Sequence, residues 1–182
     1  VGVSIKNVYL KILLNSKYFE NQGDLLITHW GFSGPGILRL SSEAARELYE
    51  KKYNFKLLIK WTNLDSSELL ERMNILRENN GRSNLCNSRP IPKLTKRLWI
   101  FLLNKLKINI NKTWSELISF ERDKIIEILL NDQYEISGKG PFGDEFVTSG
   151  GVSIDEVNFK TMESYKCKGL YFSGEVLDVD GI

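Results

Sequence analysis

The chain has 182 residues, of which 42% are hydrophobic, and its formal net charge is only +2. This composition provides a packed core and gives no overall tendency toward nucleic acid or an anionic membrane. One histidine and two cysteines cannot build a two-histidine zinc site, a zinc knuckle or a disulfide framework, and no apolar run approaches the roughly 20 residues of a membrane span. We therefore expect a cytoplasmic protein with no metal site and no membrane partner.

The first 28 residues predict an antiparallel meander of three strands. Apolar side chains occupy every second position from Val8 to Leu14, which is typical of a strand with one buried face. Turn residues follow at 15–17, a second strand begins at Tyr18, and an Asn-Gln-Gly sequence at 21–23 predicts its end. A third strand is predicted over 24–28.

A glycine-rich turn and a helix come next. The turn runs from His29 to Gly36, and Pro35 suits the first position of a helix. Apolar residues at three- and four-residue spacing predict that this helix extends over about 35–51. From 54 to 61, polar and apolar residues alternate again, which indicates a half-buried strand.

The middle of the chain predicts a small helical bundle. Asp and Glu at 65 and 68 have the spacing of a capping box, and the helix that they begin is predicted to end at Gly81. A second helix is predicted over about 94–106, with Phe101 on its apolar stripe. A second capping-box spacing, at 113–116, predicts the start of a third helix.

After the helical region the pattern returns to short strands. Strands predicted at 134–137 and 145–148 flank Gly138–Gly143, whose glycine spacing matches the dinucleotide-binding motif. That motif needs a helix directly after its glycines, whereas Pro141 and a strand pattern follow here, so we interpret the segment as a hairpin. Residues 169–174 predict a last, largely buried strand.

The glycine-rich turn carries the first candidate chemistry. His29 is a candidate proton donor, because imidazole exchanges protons near neutral pH; the alternative is a packed histidine beside Trp30. Residues 31–34 differ by one residue in spacing from the nucleophile elbow of hydrolases, so we do not expect a hydrolase. Free N–H groups at a helix start, together with flexible glycines, would still let a ligand approach the backbone closely.

A basic stretch is the second candidate. Residues 79–115 contain eight basic side chains and no acidic one. They are Arg82, Arg89, Lys93, Lys96, Arg97, Lys105, Lys107 and Lys112. Such a stretch can bind the phosphates of a nucleic acid, and the alternative is the solvated face of helices.

Glycines and carboxylates near the C-terminal end are the third candidate. The twin glycines at 150–151 indicate either a bulge or a backbone that lies against a bulky ligand. The predicted last strand leads into Gly174 and Glu175, the first of three carboxylates in six residues. Their spacing differs from that of a calcium-binding loop. We interpret Glu175 as the residue at a strand end where a polyol or a nucleotide binds.

Four segments, taken together, resemble a known family. They are 23–35 (GDLLITHWGFSGP), 148–152 (TSGGV), 160–164 (KTMES) and 169–181 (GLYFSGEVLDVDG), and they follow one another in this order. The sequence closely resembles the bacterial flavoproteins known as aminoacetone-oxidase-like or BaiN-like, which are NAD(P)/FAD-dependent oxidoreductases. Four such segments in one order are more specific than any of them alone.

The resemblance implies an organisation in three parts. In this family a discontinuous Rossmann-type domain binds FAD, and a barrel-like domain and a small helical domain are inserted into it. By resemblance, residues 1–64 and 132–164 form the barrel-like domain with a helix at about 35–51, residues 65–131 form the helical subdomain, and residues 165–182 begin the returning flavin-binding segment. The expected fold class is α+β: an antiparallel, β-barrel-like domain with an inserted small helical subdomain, as a fragment of a larger Rossmann-type flavoprotein.

The resemblance also implies roles for individual residues. The residues expected to bind FAD are Thr148, Gly150, Gly151, Val152, Gly174, Glu175, Asp178, Asp180 and Gly181. The loop expected to face the substrate contains Gly31, Gly34 and Pro35, with His29 and Ser33 as the candidate catalytic side chains.

Two elements of the family pattern are missing from these residues. No strand–Gly-x-Gly-x-x-Gly–helix unit occurs, and the Gly-Gly-Tyr-Asn segment that the family carries shortly after the position of Gly181 does not follow. We therefore expect the isolated chain to bind FAD weakly or not at all and to be inactive alone, with the missing Rossmann-type flavin domain of the same chain as its partner.

The leading functional expectation is the substrate-side part of an FAD-dependent oxidoreductase. It would act on a small-molecule substrate by flavin-mediated hydride transfer, and the use of NAD(P)H stays open. One alternative is an interaction or nucleic-acid-binding module that uses the basic stretch at 79–115. The other is a purely structural insertion.

Overall fold

The computed structural model describes residues 2–14, 17–140 and 150–179, and its main element is an antiparallel sheet. Its five strands lie in the order β3-β2-β1-β4-β5. They are β1 (Val3–Leu14), β2 (Lys17–Ile27), β3 (Phe32–Ser33), β4 (Asn54–Lys60) and β5 (Asp132–Ser137). The sheet curls into half of a barrel, which confirms the predicted α+β class with a barrel-like sheet.

A contact between the two edge strands accompanies this curl. Phe32 of β3 and Tyr134 of β5 lie at opposite edges of the sheet order, yet their ring centroids are 4.8 Å apart in an edge-on arrangement. Such edge-to-face pairs stabilise aromatic contacts beyond the area that they bury. The interior of the half-barrel therefore brings the edges together through side chains rather than through backbone hydrogen bonds.

The predicted alternation of β1 is confirmed. Val8, Leu10, Ile12 and Leu14 are all buried. In register, Leu10 lies opposite Ile59 of β4, which is also fully buried. A period of two thus places one face of both strands in the core.

The predicted break at 21–23 is wrong, because β2 is one continuous strand of 11 residues. Within it, Asn21 pairs with Leu10, and Gln22 pairs with Tyr9. The irregularity lies in β1 instead, where Asn7 adopts a φ of 54° and the register with β2 shifts. Backbone pairing of β2 with β1 overrides the turn preference of these residues.

Two helices replace the single helix predicted over 35–51. They are α1 (Pro35–Glu43) and α2 (Ala45–Glu50), and Pro35 does occupy the first turn of α1 as predicted. The fully buried Ala44 interrupts them with a φ of −98° and a ψ of 11°. Leu40 before this bend and Leu48 after it are both buried, so each short helix places its own leucine in the core.

Three helices form the middle of the chain: α3 (Ser66–Asn80), α4 (Lys96–Lys105) and α5 (Ser119–Leu130). The predicted capping box of α3 is confirmed. The Glu68 N–H donates to Asp65 Oδ1 at 2.9 Å, and the Asp65 N–H donates to Glu68 Oε2 at 2.8 Å. These reciprocal bonds satisfy two backbone donors at the start of the helix.

The second predicted capping box does not begin a helix. The Thr113 N–H does donate to Glu116 Oε2 at 2.8 Å, but these residues close an isolated turn. The third helix, α5, begins only at Ser119. The predicted place of Phe101 in the core is also wrong, because this α4 side chain is 50% exposed.

Three buried tryptophans connect the helices with the sheet, and the buried residues of both form one continuous core. Each indole N–H has an acceptor. Trp61 donates to Asp132 Oδ2 at 3.0 Å, Trp99 to the Leu85 carbonyl at 2.6 Å, and Trp114 to Ser88 Oγ at 2.5 Å. A buried indole thus avoids the cost of an unpaired donor.

Asp132 is a carboxylate buried to 1% exposure at the start of β5. Besides Trp61, the Tyr134 hydroxyl donates to its Oδ2 at 2.7 Å, and the Lys105 ammonium pairs with its Oδ1. Burial, and then the neighbouring Asp132 charge, raise the pKa of the Tyr134 phenol far above its usual range, so this donor stays protonated. Helix α4, strand β5 and the residue that follows β4 therefore each provide one partner to the Asp132 carboxylate.

In the C-terminal segment, two short strands pair with each other and not with the five-stranded sheet. Strands β6 (Val157–Asn158) and β7 (Glu163–Ser164) make a two-stranded sheet. The predicted buried strand at 169–174 is wrong: Tyr171 makes one bridge to Glu163 and is 60% exposed. This segment is not part of the five-stranded sheet, and its large apolar side chains Leu170 and Tyr171 are exposed.

The remaining part of the predicted hairpin at 141–143 and the predicted strand at 145–148 lie outside the described residues. Within the described ranges, no three His, Cys, Asp or Glu side chains are grouped so that they could hold a metal ion. In the same residues, no helix is both long and apolar enough to cross a membrane.

The network at Asp132 generates a stability prediction. Asp132→Ala should lower the free energy of unfolding by about 3–5 kcal/mol, because it leaves Lys105 without its counter-ion, and the buried Trp61 indole and the half-buried Tyr134 hydroxyl without an acceptor. Urea denaturation measures this. Glu135→Ala is the matched control, since Glu135 forms an exposed ion pair with Lys56 and should change stability by less than about 1 kcal/mol. Equal effects of the two substitutions would contradict the prediction.

Candidate functional site

The predicted substrate loop is a tight turn between β2 and β3 that Thr28 organises. The Thr28 N–H donates to the Gly31 carbonyl at 2.8 Å, and Thr28 Oγ1 accepts from the N–H groups of Trp30 and Gly31, each at 3.2 Å. His29 and Trp30 at the tip are exposed, and their ring centroids are 4.4 Å apart. The turn therefore presents two aromatic rings on a hydrogen-bonded backbone.

Close packing explains several glycines around this loop. A Cβ on Gly23 would lie 2.8 Å from the Gly36 Cα, and a Cβ on Gly34 would lie 2.9 Å from the Asp24 carbonyl oxygen. Both distances are shorter than real Cβ atoms tolerate. These glycines allow the first turn of α1 to lie directly on β2.

Ser33 and Gly31 sit differently in this loop. Ser33 is half-buried in β3, where it pairs with Leu26 of β2. Gly31 has a φ of 150° and open space around its Cβ position. Of the residues predicted for the substrate side, His29 and Pro35 are exposed, and Gly31 has open space at its Cβ position.

Two of the predicted flavin-binding segments lie side by side. The Val152 N–H donates to the Val176 carbonyl at 2.9 Å, and the Asp178 N–H donates to the Val152 carbonyl at 2.9 Å. A Cβ on Gly151 would lie only 2.5 Å from the Val176 carbonyl oxygen, so glycine is required for this approach. The structure thus joins segments that are about 25 residues apart in the sequence.

The paired segments present open backbone beside an exposed carboxylate. Gly150 and Gly174 adopt positive φ angles of 102° and 74°, and no atom of the described residues lies within 4 Å of either Cβ position. Open backbone of this kind lets a ligand approach closely, and Glu175 beside it is exposed. Three other predicted flavin-binding residues, Thr148, Asp180 and Gly181, lie outside the described residues.

An ion pair ties these segments to the helices after the substrate loop. The Arg46 guanidinium on α2 pairs with the Asp178 carboxylate. Asp178 was predicted to border the flavin, and the structure shows that its carboxylate also has a partner within the chain.

The basic stretch at 79–115 is partly occupied by contacts inside the chain. Lys105 pairs with the buried Asp132, Lys112 pairs with Glu121 at 2.6 Å, and the Lys93 ammonium donates to the Asn7 carbonyl at 3.1 Å. Burial lowers the pKa of Lys93. Arg82 and Lys96 are exposed, and the Lys96 ammonium donates one long hydrogen bond of 3.4 Å to Asn87 Oδ1.

An open cleft of about 560 Å³ lies against β1, β2 and β4, and sequence reasoning missed it. Tyr9, Lys11, Gln22, Leu58 and Lys60 are among its lining residues, and none of the predicted site residues that the structure describes lines it. Alternating polar residues in a strand indicate a solvent-facing side, so the sequence carries no signal that distinguishes a cleft from an ordinary surface.

Comparison with known proteins places these features in a wider context. The model of the family described as HI0933-like protein barrel and H2TH domain matches residues 1–147. A ribosomal RNA dihydrouridine synthase of Haemophilus influenzae is 29% identical over 173 residues, which are 92% of this chain and 39% of that protein. The Escherichia coli protein of the same name is 28% identical over 158 residues, covering 87% of this chain and 37% of the relative.

A relative with a different name matches equally well. The 3-dehydro-bile acid delta(4,6)-reductase of Clostridium scindens is 29% identical over 164 residues, which are 90% of this chain and 40% of that protein. The chain therefore spans about two fifths of the length of these curated relatives.

The tight approach at Gly151 generates a second prediction. Gly151→Ala should separate the paired segments, because its methyl group overlaps the Val176 carbonyl. Hydrogen exchange should show loss of protection at the Val152 and Asp178 amides, while the melting temperature of the core stays within about 2 °C, since the disrupted pairs lie outside the main core.

Gly140→Ala is the matched control, since nothing lies within 4 Å of that Cβ position. Unchanged protection of both amides in Gly151→Ala would show that the two segments are not held together as described.

Proposed function

The chain belongs to the HI0933-like family, and from this membership we propose that it forms the substrate-side part of an FAD-dependent oxidoreductase. The family that the four sequence segments predicted is confirmed by the family model. It is a family of flavoprotein-like oxidoreductases. Flavin binding, the substrate and the partners of this chain are our proposals.

The observation that carries the proposal is the pairing of 150–152 with 176–178. Two segments with a flavin-facing role by resemblance form backbone hydrogen bonds to each other, and open glycines stand at the start of each one. Gly150, Gly174 and Glu175 would hold one edge of FAD. A flavin bound there supplies hydride chemistry, whereas the protein positions the substrate and excludes water.

A Rossmann-type flavin domain is the partner that we propose for the C-terminal segment. Seven large apolar side chains between 150 and 179 are at least 44% exposed. They are Ile154, Phe159, Tyr165, Leu170, Tyr171, Val176 and Val179. An exposed apolar group of this size in so short a segment is typical of a surface that another domain covers.

The proposed reaction is the reduction of a carbon–carbon double bond. The names of the relatives denote this chemistry on two substrates, since dihydrouridine is uridine with one ring double bond reduced and the bile-acid enzyme is a delta(4,6)-reductase. Reduction adds a hydride to one carbon and a proton to the other. In this chain, the His29 imidazole and the Ser33 hydroxyl are the groups that we propose to hold or deliver that proton.

This proposal is tested in a protein that joins the chain to its flavin-binding domain. His29→Ala should slow the oxidation of the reduced flavin by substrate about 100-fold, as expected for loss of a general acid, with the flavin absorbance unchanged. Rapid-mixing absorbance measures the rate, with a uridine oligonucleotide and a conjugated steroid ketone as probes.

Tyr49→Ala is the control, because Tyr49 is a 75% exposed aromatic residue on α2 and should leave the rate unchanged. A purified protein without flavin absorbance would reject the proposed function. An unchanged rate in His29→Ala would reject only the role of His29.

RNA binding by the basic stretch is a second candidate function. Two relatives are named for an activity on ribosomal RNA, and Arg82 and Lys96 of this stretch are exposed. Phe101 on α4 is half exposed as well, and an aromatic side chain beside basic groups suits an RNA surface. The steroid named for the third relative makes a small-molecule substrate the leading alternative.

The salt dependence of RNA binding separates these alternatives. If the stretch binds RNA, the affinity for a generic duplex should fall about tenfold or more between 50 and 200 mM salt. The double variant Arg82→Ala/Lys96→Ala should reduce the slope of log affinity against log salt concentration by roughly two. Fluorescence anisotropy measures both. Lys51→Ala, at an exposed lysine outside the stretch, should leave the slope unchanged; a slope that the double variant does not alter would exclude this candidate.

A further inference from the structure

Trp30 differs from every other tryptophan of the chain in its exposure. The chain has four tryptophans, and Trp61, Trp99 and Trp114 are buried to 1% exposure or less. Trp30 is 59% exposed. An indole with this exposure gains little from burial in the core, so most of its apolar surface is available to a ligand.

The backbone under Trp30 is held in place. Its N–H donates to Thr28 Oγ1 at 3.2 Å, inside a turn that the Thr28-to-Gly31 backbone bond closes at 2.8 Å. Phe32, two residues on, packs against the Tyr134 ring in the barrel interior. The exposed ring therefore stands on an ordered hairpin, which lowers the entropy lost when a ligand binds to it.

His29 adds a polar edge to the exposed indole. The two ring centroids are 4.4 Å apart, with an angle of 43° between the planes. An imidazole so close can offer a nitrogen to a group at the rim of a ring that covers the indole. The pair combines a flat apolar surface with a hydrogen-bonding group beside it.

We propose that Trp30 and His29 form a binding platform for a flat, conjugated heterocycle with ring carbonyls. The ring stacks on the indole, as bases stack on aromatic side chains in sequence-tolerant binding, and the imidazole bonds to a carbonyl at its rim. A saturated, puckered ring system lacks the flat face that this contact needs.

Two sources can supply such a ring: a uracil base of a substrate, or the isoalloxazine ring of a flavin. Both contain the same dione ring, so the platform has the same chemistry for either. The inference rests on the proposed function, because that function brings these two molecules to the loop. Binding of the ring can nevertheless be measured without any turnover.

Trp30 can report its own occupancy in the 182-residue chain. Because the other three indoles are buried, iodide quenching of tryptophan fluorescence acts on Trp30. Titration with uridine monophosphate, and separately with riboflavin, should protect Trp30 from iodide in a saturable way. Trp30→Ala, followed by the fluorescence of riboflavin or by calorimetry with the nucleotide, should weaken binding about tenfold or more, and Trp30→Phe by no more than about threefold.

Tyr49→Ala, at an exposed aromatic residue on α2, is the matched control and should bind both probes as the parent chain does. Circular dichroism verifies that each variant is folded. Protection by the nucleotide alone assigns the platform to the substrate base, and protection by riboflavin alone assigns it to the flavin ring.

Three results would overturn the inference. They are binding of both probes to Trp30→Ala as tightly as to the parent chain, protection of Trp30 by neither probe, and protection only by cholate, which has a saturated, puckered ring system. Because no turnover is involved, these results leave the oxidoreductase proposal standing. Conversely, if the intact protein contained no flavin, the oxidoreductase proposal would be rejected. Protection of Trp30 by uridine monophosphate would still support the binding platform.

Discussion

The buried carboxylate of Asp132 is the constraint on which the arrangement of the sheet and helices depends. A charge with 1% exposure is tolerable only when it is paired and fully hydrogen-bonded. Its partners come from three places in the sequence: Trp61 after β4, Lys105 at the end of α4, and Tyr134 on β5. Each of these elements must therefore be in position before the charge is satisfied, which makes the packing of the helical part on the sheet specific.

This constraint extends to the proposed site through two rings. Tyr134 donates its hydroxyl to Asp132, and its ring contacts Phe32. Phe32 follows directly on the turn that carries His29 and Trp30. The exposed loop is thus connected through Phe32 and Tyr134 to the buried carboxylate, whereas the C-terminal segment is joined to the helices through the Arg46–Asp178 pair.

Local signals predicted those elements that depend on neighbouring residues. The alternation in β1 and the capping box of α3 are confirmed because both depend on residues at most a few positions apart. The predicted break at 21–23 is wrong because pairing of β2 with β1 outweighs the turn preference of these residues. The capping residues at 113–116 form their bonds without a helix, since a cap satisfies backbone donors in an isolated turn equally well.

The sequence by itself determined the family, the α+β class and the short segments that carry the candidate chemistry, because these depend on residue identity and order. Only the tertiary structure decided which glycines serve packing and which stand open, since that depends on what lies opposite each one: β2 against α1 at Gly23, and Val176 against Gly151. It also separated one exposed tryptophan from three buried ones. Periodicity assigns a residue to a face of its own element, whereas burial depends on whether another element covers that face.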